Sequence, residues 1–163
     1  MDSERTALYA AELAAFEGTD LERLRTFAEL AAVVDEVLSA PWWPGPHVEL
    51  QRTRADSRSS STRCDSHRDD RLVRIRLAPN QLTVATVAHE MAHALAGVDV
   101  GHGPIFRAAY VDMVAMITNI DSTDRRLDLH VKQLVDACAA AGIAIGGRNW
   151  PAPPSSASGA IAL

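Results

Sequence analysis

From Gln81 to Ala96 apolar side chains recur at helical spacing, with Pro79-Asn80 as a stop and N-cap ahead of the segment and Gly97 closing it. Inside that predicted helix the chain reads His89-Glu90-Met91-Ala92-His93. Four residues make just over one helical turn, so the two imidazoles leave the same face. Val84, Val87, Met91 and Leu95 form an apolar face opposite them. Any fold built on this helix has to bury one side in a core and offer the other to a polar space.

The rest of the chain supplies that core. Hydrophobic residues make up 47% of the 163 positions and charged residues 23%, which excludes wholesale disorder and fits one compact domain. The first forty residues read as two helices. Leu8, Ala11, Ala15 and Phe16 form one stripe and Leu21, Leu24, Phe27, Leu30, Val34 and Val37 another, with Gly18 between them and Thr19 to Glu22 as a capping box. Pro41-Trp42-Trp43-Pro44-Gly45-Pro46 cannot continue a helix and makes a rigid connector, its tryptophans read as covering one end of the core, with an exposed recognition patch as the alternative. His47 to Thr53 and Leu72 to Leu77 read as short strands, the second alternating apolar and basic side chains. Between them, residues 54–70 offer almost nothing to bury and read as a mobile hairpin loop. Further helices are expected from about Pro104, with Phe106, Tyr110, Met113 and Ile117 inward, and from about Thr123 to Ala141. The fold class expected is therefore α+β: N-terminal helices, a short antiparallel sheet or hairpin, the histidine-bearing helix and C-terminal helices. The domain is expected over residues 1–147, with a disordered tail over 148–163.

Two imidazoles on one helical face, four residues apart, suit a metal ion, zinc above all. Glu90, one step round, can reach a metal-activated water without being a ligand and serve as its general base. A hydrolytic zinc site takes three protein ligands and leaves one position open. His102 is the first candidate for the third, since Gly101 and Gly103 let the chain turn back after the helix. Asp99 is its rival. On the following helix Asp112 could orient an imidazole, and Tyr110 reads as packing with oxyanion binding as the alternative. Cys64 and His67, on the polar loop, read as an incidental pair, and His130 as a boundary residue.

The stretch HEMAHALAGVDVGHGPIF, from His89 through Phe106, resembles the active-site region of SprT-like zinc metalloproteases and related small bacterial metallohydrolases. In those, HExxH is followed by a Gly-His or Pro-His turn and an aromatic-bearing helix. The resemblance implies a minimal zincin fold, a peptide or protein substrate, zinc held by His89, His93 and His102, and Glu90 as catalytic base. It is confined to this stretch, the interval from His93 to His102 is shorter than in that family, and no four-cysteine zinc ribbon follows. In such folds a strand beside the cleft can pair with an extended substrate, and Leu72 to Leu77 is the candidate.

The net charge of -5 is uneven, because the segment Arg52 to Arg76 holds eight Arg and four Asp. Contact with nucleic-acid phosphates is the reading this segment invites. The interspersed Asp and the lack of aromatics to stack on bases argue against it. The alternative to an enzyme is a zinc-stabilised binding or regulatory module with a structural or vestigial site, reaching a partner through this segment. No apolar run approaches the ~20 residues of a membrane span, and Met1 to Arg5 lacks a leader layout, so a cytoplasmic protein without membrane partners is expected.

Overall fold

The computed structural model describes residues 3–64, 72–121 and 127–154. Among these residues five helices and a three-stranded mixed sheet give an α+β architecture. The chain runs α1 (Ser3–Phe16), a 3-10 turn (Asp20–Glu22), α2 (Phe27–Ser39), β1 (His47–Arg52), β2 (Ser61–Cys64) and β3 (Leu72–Leu77). A second 3-10 turn (Pro79–Gln81), α3 (Val84–Ala96), α4 (Pro104–Asp121) and α5 (Leu127–Ala140) complete it. Among the described residues no helix is long and apolar enough to cross a membrane.

The expected stripe of α1 is buried as predicted, with Leu8 and Phe16 fully inside. The start of the second helix is not where it was expected. Thr19 turns its hydroxyl back onto the Phe16 carbonyl, 2.7 Å away, so it caps nothing. The capping box belongs instead to Thr26 and Glu29, which puts the first residue of α2 at Phe27 and leaves Leu24 63% exposed. A similar shift precedes the histidine-bearing helix. Asn80 lies in a 3-10 turn, and it is Thr83 whose side chain accepts from the Thr86 amide and opens α3.

The sheet corrects the hairpin expectation. Strand order is β1-β3-β2, with β1 parallel to β3 and β2 antiparallel to it. β1 and β3 therefore cannot be joined by a hairpin, and the strand that connects them lies inside the supposed mobile loop. Ser61 to Cys64 carries no apolar alternation to announce it; its ladder to β3 and the inward Thr62 hold it. Residues 65–70 of that loop lie outside the described residues. On the inner face Val48, Val73, Ile75 and Leu77 join the core, and the turned-out positions of β3 are Arg74 and Arg76.

α3 is the centre of the molecule, packed against α4 on one side and β2 and β3 on another. Eleven of its thirteen residues are buried, so its polar side is enclosed as well as its apolar one. Met113 and Met116 pack in the core, and Trp42 and Trp43 lie edge to face against its end. The chain stays attached past residue 147. Arg148 and the Trp150 indole both bond to buried Asp112, and the Trp42 indole donates to the Pro151 carbonyl. Asp112 would otherwise be an unpaired carboxylate in the core, which explains why the expected tail begins as part of the domain. Residues 155–163 of that tail lie outside the described residues.

Candidate metal centre

The two histidines of α3 and the turn that follows it converge. His89, His93 and His102 each offer a ligand nitrogen, and these atoms lie within 4.8 Å of one another. His102 reaches the group because the chain reverses after Ala96. Gly97 has φ +109° and Gly101 φ +69°, conformations that side-chain-bearing residues rarely adopt. The turn is then pinned from behind by Arg107. Its guanidinium, almost wholly buried, donates to the His102 carbonyl at 2.8 Å and to the Ala144 carbonyl at 2.6 Å. Asp99, the rival third ligand, is exposed and outside the group.

The rings have defined orientations. His89 turns Nε2 toward His102 Nε2, 3.3 Å away, and Nδ1 toward the Glu12 carboxylate, 2.5 Å away. Glu12 comes from α1 and also takes the hydrogen bond of the Tyr110 phenol. Burial would lower the His89 imidazole, but the Glu12 charge and hydrogen bond, with Glu90 nearby, carry it above its ordinary value. His93 is different. Burial, and then the neighbouring imidazoles, hold it down to about 3, so it is neutral throughout the ordinary pH range. Its Nδ1 is buried without a hydrogen-bond partner among the described residues. An imidazole kept neutral beside two others is in the form that binds a metal.

Glu90 is buried beside this group and is not part of it. Thr62 of β2 donates its hydroxyl to Glu90 Oε2 at 2.5 Å. Burial raises the Glu90 carboxyl, against the opposing pull of the Thr62 hydrogen bond and His89. His89 and Glu90 are reached from a cleft of about 310 Å³ walled by Arg5, Tyr9 and Glu12 of α1, Glu22, and Ser59 and Ser60 of the loop before β2. The Tyr9 ring lies over both His89 and His102, with centroids 5.7 and 5.8 Å apart, and Arg5 Nε donates to its hydroxyl at 3.1 Å.

The three histidines and Glu90 singled out in the sequence are thus brought together. Asp112 is committed to Arg148 and Trp150 instead of an imidazole, and the Tyr110 phenol to Glu12. Leu72 to Leu77 is the central strand, bonded on both sides, so it has no edge to offer; that edge belongs to β2. Cys64 is exposed and His67 lies outside the described residues, while His130 bonds to Gln133. Glu12, Tyr9, Arg5, Thr62 and Arg107 were missed. Only Arg107 left a signal, a charge one position past the inward Phe106 on an apolar helix.

No protein-family model, curated protein or solved structure matches the chain.

Proposed function

We propose that the chain is a zinc-dependent hydrolase of the zincin type, similar to SprT-like metalloproteases, with a peptide bond as its target. One observation carries the reading: three imidazoles converge while a buried carboxylate that is no part of their group stands beside them on an accessible cleft. Zinc suits the donor set. Nitrogens held at 2.0–2.1 Å by a tetrahedral ion stand about 3.3–3.4 Å apart, and His89 and His102 present theirs 3.3 Å apart. A structural site would need a fourth protein ligand, whereas the group among the described residues comprises three histidines.

When bound, zinc supplies the Lewis acidity that makes water a nucleophile near neutral pH. The chain's own residues do the rest. Glu90, its carboxyl raised by burial, takes a proton from the attacking water and returns it to the leaving nitrogen. Thr62 fixes which way that carboxylate points. Tyr9 and Arg5 bring a phenol and a cation to the wall of the cleft, suited to negative charge developing on the carbonyl oxygen. The edge of β2, beside Glu90, gives an extended backbone somewhere to pair.

Metal analysis with a casein-type proteolysis assay tests this. About one zinc per chain is expected in the wild type, lost in His102→Ala and kept by an inactive Glu90→Gln. A wild type that takes up no transition metal on reconstitution, or a Glu90→Gln variant with full activity, refutes the proposal.

A further inference from the structure

A second concavity, of about 720 Å³, opens where the outer face of the sheet meets the loop after β1. Four arginines line it: Arg52 from β1, Arg54 from the loop, Arg63 from β2 and Arg76 from β3. The strand register turns Arg63 and Arg76 to the outward face, whereas Arg52, paired with the core residue Leu77, belongs to the other face and borders the space from its rim. Antiparallel pairing sets Ser61 opposite Arg76 and Arg63 opposite Arg74, so Arg63 and Arg76 are diagonal neighbours on the outward face. Arg74 shares that face but is neutralised by Glu49, 3.2 Å away. Arg54, Arg63 and Arg76 make no ion pair among the described residues, and all three are exposed. Arg52 is held over the Phe27 ring, 4.9 Å from its centroid. Among the described residues one carboxylate, Asp56, lines the same space.

Arg54, Arg63 and Arg76, gathered around one acid, repel one another, and an anion seated among them removes that repulsion. Guanidinium forks match phosphate oxygens in pairs, and the serine hydroxyls of the loop add neutral donors. Among the described residues no aromatic side chain lines the space to stack on a base. Its volume is that of a small-molecule site, too small for a duplex. We infer that this concavity binds a compact anion carrying two or more linked phosphate groups, recognised through its phosphate chain. The inference is independent of the histidine site, from which the concavity is separated by Ser59 and Ser60, residues that line both.

Isothermal titration of the full chain at low ionic strength, with tripolyphosphate and with ATP, tests it. Tripolyphosphate represents a free oligophosphate and ATP a nucleotide. Both should bind once per chain with similar affinity, about tenfold or more weaker in Arg63→Gln/Arg76→Gln. Lys132→Gln, which removes an exposed charge on α5, should leave binding unchanged. The same titration of His102→Ala should give the same affinity, which separates binding here from extraction of metal by phosphate. Absence of saturable binding overturns the inference, as does equal weakening in Lys132→Gln. ATP binding without tripolyphosphate binding overturns recognition through the phosphate chain. A single-stranded oligonucleotide that binds where tripolyphosphate does not replaces the compact site with an extended nucleic-acid surface.

Discussion

Removing the Glu12 carboxylate should cost both stability and metal affinity, in proportions that depend on the replacement. Glu12 is 16% exposed and accepts from His89 Nδ1 and the Tyr110 phenol, the latter 1% exposed. Leucine at this position strands both donors. A buried donor without a partner costs about 1–3 kcal/mol, so Glu12→Leu should lose about 2–6 kcal/mol. At about 2–4 °C per kcal/mol for a chain of this size, even the lower figure is a fall of about 4–8 °C in Tm. Glutamine keeps an acceptor oxygen but removes the charge. Glu12→Gln should therefore stay within about 1 kcal/mol of the wild type, yet bind metal about 10–100-fold more weakly, as groups that orient a ligand imidazole do when altered. Urea unfolding gives the first quantity, and competition with a chromophoric chelator the second. A Glu12→Leu variant with wild-type midpoint and wild-type affinity would show that α1 only covers the site and does not hold His89.

Two further outcomes follow from groups outside the cluster. Arg148→Met leaves Asp112, 1% exposed, with the Trp150 indole as its remaining partner, and should cost about 3 kcal/mol, the low end for a broken buried pair because Arg148 itself reaches solvent. Asp112→Leu in the same chain should recover part of it, and a thermal melt as stable as wild type in the single variant would refute the pairing. Glu22 is raised by burial and then by Glu12, so its folded pKa lies above its unfolded one. An acid raised on folding destabilises above that window and not below the unfolded value, so Glu22→Gln should raise Tm at pH 7 and leave it unchanged at pH 3. An equal shift at both pH values would mean the effect is not electrostatic.

What was legible in the sequence was local. The histidine-bearing helix, the glycines that let His102 return and the inward residues of α4 are written in spacing, because helical periodicity and turn chemistry act over a few residues. β2 was hidden since Ser-Thr-Arg-Cys has no apolar alternation, and its inward residue is a threonine that answers to Glu90 instead of the core. The direction of β1 relative to β3 was hidden for a related reason: with the connecting strand unrecognised, a hairpin was the simplest join. The two helix starts were misplaced by one capping choice each, Thr26 over Thr19 and Thr83 over Asn80. Thr19 and Asn80 turn their side chains to the carbonyls of Phe16 and Arg58, whereas Thr26 and Thr83 each accept from an amide of the helix they open.

Glu12 illustrates why the rest of the site was not legible. It lies 77 residues before His89, on a helix whose apolar stripe reads as ordinary core. Yet the polar groups of the centre are connected. Glu12 joins α1 to α3 and α4, Thr62 joins the sheet to α3, and Arg107 joins α4 to the His102 turn and the segment after α5. Each is a buried or half-buried polar contact whose loss leaves its partner uncompensated. The elements that hold the histidines are therefore the same ones that close the core, and the docking of α1 places Glu12 against His89. If the histidines bind metal as proposed, substitutions that loosen α1 from α5, away from the three clustered histidines, should weaken metal binding only where they also release Glu12 from His89, which chelator competition on such variants measures.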